Sequence, residues 1–203
     1  MTSVNDDPSP FAHWNAELAN TRFASIEALA EFLLEATTGL DPAHPQEQKT
    51  AARFVKALQE LTTPDKGWEF TTFDTLSDEM VVVRDIRFAS LCRHHVLPFM
   101  GVCHVAYVPN VKLAGLSKIP RLVRSISRGL NTQEELNYSI AYNLEEELNP
   151  KGVGVVMEAE HTCMTIRGAL VPGTLTRTAS MRGVFSDHSK TAKAEFLGSI
   201  GGK

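Results

Sequence analysis

The chain has 203 residues, 43% of them hydrophobic and 22% charged, with a formal net charge of -4. That length suits one domain with a real core and a helical appendage. The acidic balance excludes a general nucleic-acid binder, which carries a basic surplus, and no apolar run is long enough to span a bilayer.

The first residues, Met1-Thr2-Ser3-Val4-Asn5-Asp6-Asp7-Pro8, have no basic segment followed by an apolar one, so no secretory signal is expected. A cytoplasmic protein is the expectation, with Cys92, Cys103 and Cys163 as thiols or metal ligands in a reducing compartment. Residues 1–24 read as a flexible tail and 25–203 as one domain with a helical N-terminal part.

In chain order, Ile26, Leu29, Ala30, Leu33 and Leu34 have helical period and Gly39 ends the run. A second helix is predicted from Ala51, Phe54, Val55, Leu58 and Leu61, stopping before Pro64, with Arg53 and Lys56 on neighbouring parts of one face. β-Branched and aromatic residues then dominate from Trp68 to Leu91, giving two strands around Ser77-Asp78. Met100 to Pro109 is predicted as a strand, with Cys103, Val105 and Tyr107 on one face and His104, Ala106 and Val108 on the other. Helical spacing returns at Ile119, Leu122, Val123 and Ile126. Thr132-Gln133-Glu134-Glu135 matches a capping box ahead of Leu136, Ile140, Leu144 and Leu148, with Asn149-Pro150 as the stop. Val153 to Arg167 is expected as a strand or tight strand pair, and Thr174 to Phe185 as another. Helices, strands, helices, strands: the pattern predicts an α+β domain on an antiparallel sheet.

Two short segments hold the residues suited to chemistry. Cys92 and His95 have the spacing that lets a turn aim two ligands at one metal. His161 and Cys163, two apart on an expected strand, share a face, so that one can ligate while the other faces the same cavity. With cysteine as the ligand, two thiolates and one imidazole leave a tetrahedral position open. That suits catalytic rather than structural zinc, which lowers the pKa of bound water to about 7. His94 and His161 would then carry protons. Against this, His94 also fits a solvated turn and His161 a satisfied core histidine. Cys103 and His104 lack a partner at ligand spacing and read as strand packing.

Lys118, Arg121, Arg124 and Arg128 gather at a helix start preceded by Ser117, and Arg167 follows the second segment. They suit either a solvated basic face or a polyphosphate clamp. Glu134 suits either the helix dipole or the N–H groups of a base.

Together these residues resemble the type I GTP cyclohydrolase family. The resemblance rests on Cys92-Arg93-His94-His95, Gly115-Leu116-Ser117-Lys118-Ile119-Pro120-Arg121, Gln133-Glu134, Asn149-Pro150-Lys151-Gly152-Val153, Glu158-Ala159-Glu160-His161-Thr162-Cys163, Arg167-Gly168 and Glu195-Phe196-Leu197. It implies the tunnelling fold, an antiparallel sheet with helices on one face. It implies Zn2+ held by Cys92, His95 and Cys163, with His161 protonating the purine at N7 and His94 assisting near the metal. Gln133 and Glu134 would anchor guanine, while Ser117, Lys118, Arg121 and Arg167 would hold the triphosphate of GTP. Arg53 and Lys56 resemble a helix pair that reaches a neighbouring subunit's phosphates, in a toroidal homodecamer with shared active sites. The segments around Cys92, Glu134 and Cys163 need not come from one chain. The chain departs from the family pattern at Arg93, where glutamate is common, at Pro120 inside the helix start, and at Glu135, where arginine is frequent.

Overall fold

The computed structural model describes residues 22–65, 67–186 and 191–201, so residues 1–21 of the expected tail lie outside the described residues. The described residues fall into two compact units, divided between Glu60 and Leu61.

In the first unit, helix α1 (Ile26–Thr38) begins where the Ser25 hydroxyl accepts the Ala28 N–H. It ends at Gly39, whose φ of 74° closes the last turn by donating its N–H to the Glu35 carbonyl. Helix α2 (Thr50–Thr62) buries Ala51 and Val55 against Ala30 and Leu34.

The second unit is built on a five-stranded sheet. Its strands are β2 (Val81–Cys92), β3 (Pro98–Val108), β5 (Leu130–Asn131), β6 (Gly152–His161) and β7 (Leu175–Gly183), in the order β5-β2-β3-β6-β7. Every pairing is antiparallel except the short parallel contact of β5 with β2. Strand β1 (Thr72–Asp74) pairs apart from it with β4 (Lys112–Ala114), so the two strands expected around Ser77-Asp78 exist but belong to different sheets.

The alternation of β3 divides the core as the sequence predicts. Cys103, Val105 and Tyr107 face helices α3 (Lys118–Ser127) and α4 (Gln133–Leu148), whose Ile119, Val123, Leu136, Ile140, Leu144 and Leu148 are fully buried. Each such side chain contributes roughly 1.5–3 kcal/mol of transfer free energy. Ala106 faces the other way, where helix α6 (Ala192–Ile200) seats Phe196 beside Phe185 and Val156 in a smaller cluster. Gly154 makes room for that helix, since a Cβ there would lie 2.9 Å from the Phe196 ring. The fold is thus α+β, with α3 and α4 on one sheet face and a terminal helix on the other. Pro120 falls in the first turn of α3, where a missing N–H costs nothing.

One expectation is corrected. Strand β6 ends at His161, and Thr162–Thr165 forms a single helical turn, α5. The Thr162 hydroxyl donates to the Pro98 carbonyl at 2.6 Å and turns the chain away from the sheet. Cys163 therefore does not share a strand face with His161.

His104 is buried on the α6 side of β3, and its Nδ1 accepts the Asp85 N–H at 3.1 Å. Asp85 occupies an irregularity of β2 with φ of 60°, so this bond holds an unfavourable backbone geometry. Burial lowers the His104 pKa; Asp85 and Glu158 oppose it, while Arg177 and Arg84 act with it. The unfolded chain therefore takes up this proton near pH 6.5, before the folded chain does. The contribution to stability is full above that pH and is lost as pH falls toward the lowered folded pKa. Melting temperature should drop more steeply from pH 7 to pH 5 in the wild type than in His104→Gln. Parallel thermal denaturation curves would reject this assignment.

Candidate active site

Cys92 ends β2 and starts a tight turn. Its carbonyl accepts the N–H groups of His95 and Val96, at 3.3 and 2.8 Å, and its own N–H donates to Leu97 O. Val96 closes the turn at φ of 55°, a conformation that a β-branched residue adopts at a cost of order 1–3 kcal/mol. Strain of that kind persists where the surroundings fix the geometry. Here it brings His94 Nδ1 and His95 Nδ1 to 3.9 and 3.8 Å from Cys92 Sγ.

Among the described residues one group of ligand atoms converges: those of Cys92, His95 and Cys163 lie within 4.8 Å of one another. Tetrahedral donors at zinc bond lengths of about 2.0–2.3 Å sit roughly 3.3–3.8 Å apart, so side-chain adjustments of up to about 1 Å close the set. The donor chemistry, two sulfurs and one imidazole nitrogen, suits a soft-to-borderline divalent ion. Burial pushes the Cys163 thiol pKa up and the adjacent Cys92 adds to this, with Arg167 acting the other way. A cation between the two sulfurs would relieve that repulsion. All three cysteines are free thiols. Cys103 lies in the core, its pKa raised by burial.

This candidate ligand group opens into a cavity of about 310 Å³ lined also by His94, Gln133, Glu134, His161, Met164 and Thr176. The segments around Cys92, Glu134 and Cys163 thus meet within one chain. His161 stacks on Phe99, ring centroids 4.7 Å apart and planes nearly parallel, because the two are paired in the β3–β6 register. Burial lowers its pKa, opposed by Glu134.

Gln133 sits at the start of α4, capped by Thr132, and is 1% exposed. Its amide nitrogen donates to Met157 O, Thr176 O and Thr178 Oγ1 at 3.0–3.3 Å. The amide oxygen is consequently the end that meets His161 Nε2, at 2.8 Å. Since that oxygen can only accept, His161 carries its hydrogen on Nε2, leaving Nδ1 to exchange protons. Glu134, the next residue, is exposed at the cavity.

The basic residues separate. Lys118 and Arg121, following Ser117 at the head of α3, line another cavity, with Gly67, Trp68, Glu69 and Thr71. Arg124 and Arg128 pair with Asp65 at 3.0 and 2.6 Å, which accounts for them as local ties. Arg167 is exposed after the α5 turn and close enough to act on Cys163. Arg53 and Lys56 are exposed on α2 in the first unit, where Lys56 lies 3.8 Å from Glu60.

Three features escaped the sequence. Phe99 as the platform of His161 needs the strand register. Thr176 and Thr178 as anchors of Gln133 need the β6–β7 pairing, and neither has a local signal. The third is that Arg93 and Glu135, the two charge departures, pair with each other at 3.0 Å.

The family description "GTP cyclohydrolase I" matches residues 26–201. The "GTP cyclohydrolase 1" of Aquifex aeolicus is 45% identical over 161 residues, covering 78% of this chain and 86% of that protein. Its namesake in Campylobacter jejuni is 51% identical over 153 residues, 73% of this chain and 80% of that protein. The one in Dictyostelium discoideum is 41% identical over 199 residues, 94% and 82% of the two chains. No helix of the described residues is long and apolar enough to cross a membrane.

Proposed function

The chain belongs to the GTP cyclohydrolase I family, and from that premise we propose that it converts GTP and water to 7,8-dihydroneopterin triphosphate and formate, the entry to pterin synthesis. The observation that carries this reading is the convergence of Cys92, His95 and Cys163 in the cavity that also holds His161 and Glu134. Those three residues would hold Zn2+, which when bound supplies an activated water next to the purine C8.

The chain's own groups do the remaining work. The Glu134 carboxylate, exposed at the head of α4, accepts from the N–H groups of guanine and sets the base in the cavity. The Gln133 side chain is engaged by the sheet and by His161, so its support for the base is indirect. His161 delivers a proton from Nδ1 to N7, weakening the imidazole ring bond that must break. His94, beside the Cys92 thiol, assists proton movement near the metal. Arg167 binds the triphosphate together with Ser117, Lys118 and Arg121 of an adjoining subunit, joined by Arg53 and Lys56 of a neighbouring one, in an assembly we take to be a decameric ring. Three free thiols fit a reducing cytoplasm.

Incubating the zinc-loaded protein with GTP should release formate in step with a product that oxidises to a fluorescent pterin. Chelation should stop both, and added Zn2+ should restore them. Formate release that is unaffected after complete metal removal would overturn the metal reading. Absence of formate from the metal-replete wild type would overturn the reaction.

A further inference from the structure

Arg93 stands inside the metal-binding turn, between Cys92 and His94, yet its side chain leaves the turn. Its Nη1 lies 3.1 and 3.0 Å from the two carboxylate oxygens of Glu135, and its Nε and Nη2 both donate to Leu130 O at 3.2 Å. Its backbone N–H donates to Asn131 O at 3.0 Å. All the partners belong to one stretch, Leu130 to Glu135, which contains β5 and the head of α4 and therefore carries Gln133 and Glu134.

Fold stability is a weak reason for this arrangement. Both side chains are about half exposed, and an exposed ion pair stabilises a fold only slightly. Glu135 is also the residue that would complete the Thr132 capping box. The Thr132 hydroxyl does accept the Glu135 N–H at 3.2 Å, while the Glu135 carboxylate is directed to Arg93. The Cys92–Val96 turn closes on its own hydrogen bonds. β5, its neighbour, is only two residues long and contributes two paired positions. Ser90 adds a tie before the turn, its hydroxyl donating to Gly129 O and accepting from Asn131 Nδ2, but these bonds stop short of the helix. The side-chain link from the turn to the head of α4 itself is the arginine's, whose planar fork reaches a carbonyl and a carboxylate at once.

We propose that Arg93 and Glu135 are positioning residues: they set the spacing between the metal turn and the guanine-anchoring head of α4. This deepens the function proposed above and rests on it. Neither residue touches the reacting atoms. Their loss leaves all three ligands in place but lets the base shift relative to the site of water attack. A misplacement of about 1 Å can cost on the order of 10²-fold in rate. The opposite charges also make the pair testable by exchange, because a reversed pair can re-form where a single reversal sets like charges together.

The test is a cycle of R93A, E135A, R93E, E135R and R93E/E135R, each assayed for zinc content, kcat and KM for GTP. The alanine variants should keep one zinc per chain and lose about 10-fold or more in kcat, with a smaller change in KM. Each single reversal should be worse than alanine, and the double reversal should recover about 10-fold over either. Unchanged kcat in R93A would overturn the proposal. So would loss of zinc in R93A, which would make the arginine part of the turn's folding. A double reversal no better than its singles would also reject it, since the effect would then not be the pair's. An inactive wild type, by contrast, would sink the reaction and not this pair.

Discussion

His161→Ala should retain zinc and lose about 10²- to 10⁴-fold in kcat, the usual worth of a positioned proton donor. Gln133 fixes the orientation of the ring. A buried amide whose nitrogen already serves three acceptors has one free orientation, and it presents its oxygen to the imidazole. The ring is held flat on Phe99 at the same time. Such a histidine has one tautomer and one position, as a residue that must meet a single substrate atom requires. It lies outside the converging Cys92, His95, Cys163 group, so metal content should be untouched. Elemental analysis beside single-turnover kinetics checks both halves. A His161→Ala protein that has lost its zinc would make the residue a ligand. One that retains zinc and full kcat would leave it with no part in proton transfer.

How far the site could be read from the sequence depends on whether each signal is local. Helices α1 to α4 are legible because periodic apolar residues and their caps sit within a few positions of each other. Thr132 and Gly39 mark helix ends as the sequence alone suggests. The two faces of β3 follow from alternation. Strands β4 and β5 are invisible because two or three residues carry no period. The run through Cys163 reads as strand because Thr162, Thr165 and Ile166 are β-branched. A tertiary bond from Thr162 to Pro98 O overrides that preference. The spacing of Cys92 and His95 announces a turn with two candidate ligands, whereas the third candidate arrives from a helical turn no pattern foretold. Arg93 and Glu135 look like two unrelated departures in sequence, 42 positions apart, and only the fold makes them one feature.

Cys163→Ala and Arg121→Ala should each be severely impaired, the first without zinc and the second in binding GTP, yet a mixture should recover activity. The basis is the separation of the two cavities. Cys163 lines one with His161 and Glu134, and Arg121 lines another with Lys118. A guanine seated at Glu134 would then find its triphosphate partners on Lys118 and Arg121 of an adjoining subunit in a ring. In rings assembled at random from the two variants, one in four pairings joins an intact metal centre to an intact clamp. About a quarter of wild-type activity should therefore return. Cys163→Ala mixed with Glu134→Ala is the matched control. Those residues line the same cavity of one chain, so every site keeps a defect and nothing should return. The measurement is GTP turnover after subunit exchange, with mixed rings verified by differently tagged chains. If tagged mixed rings form and the Cys163→Ala and Arg121→Ala pair stays inactive, both segments serve one chain's site and the shared-site proposal fails. Recovery in the control would fail it differently, since Glu134 and Cys163 would then act in separate subunits.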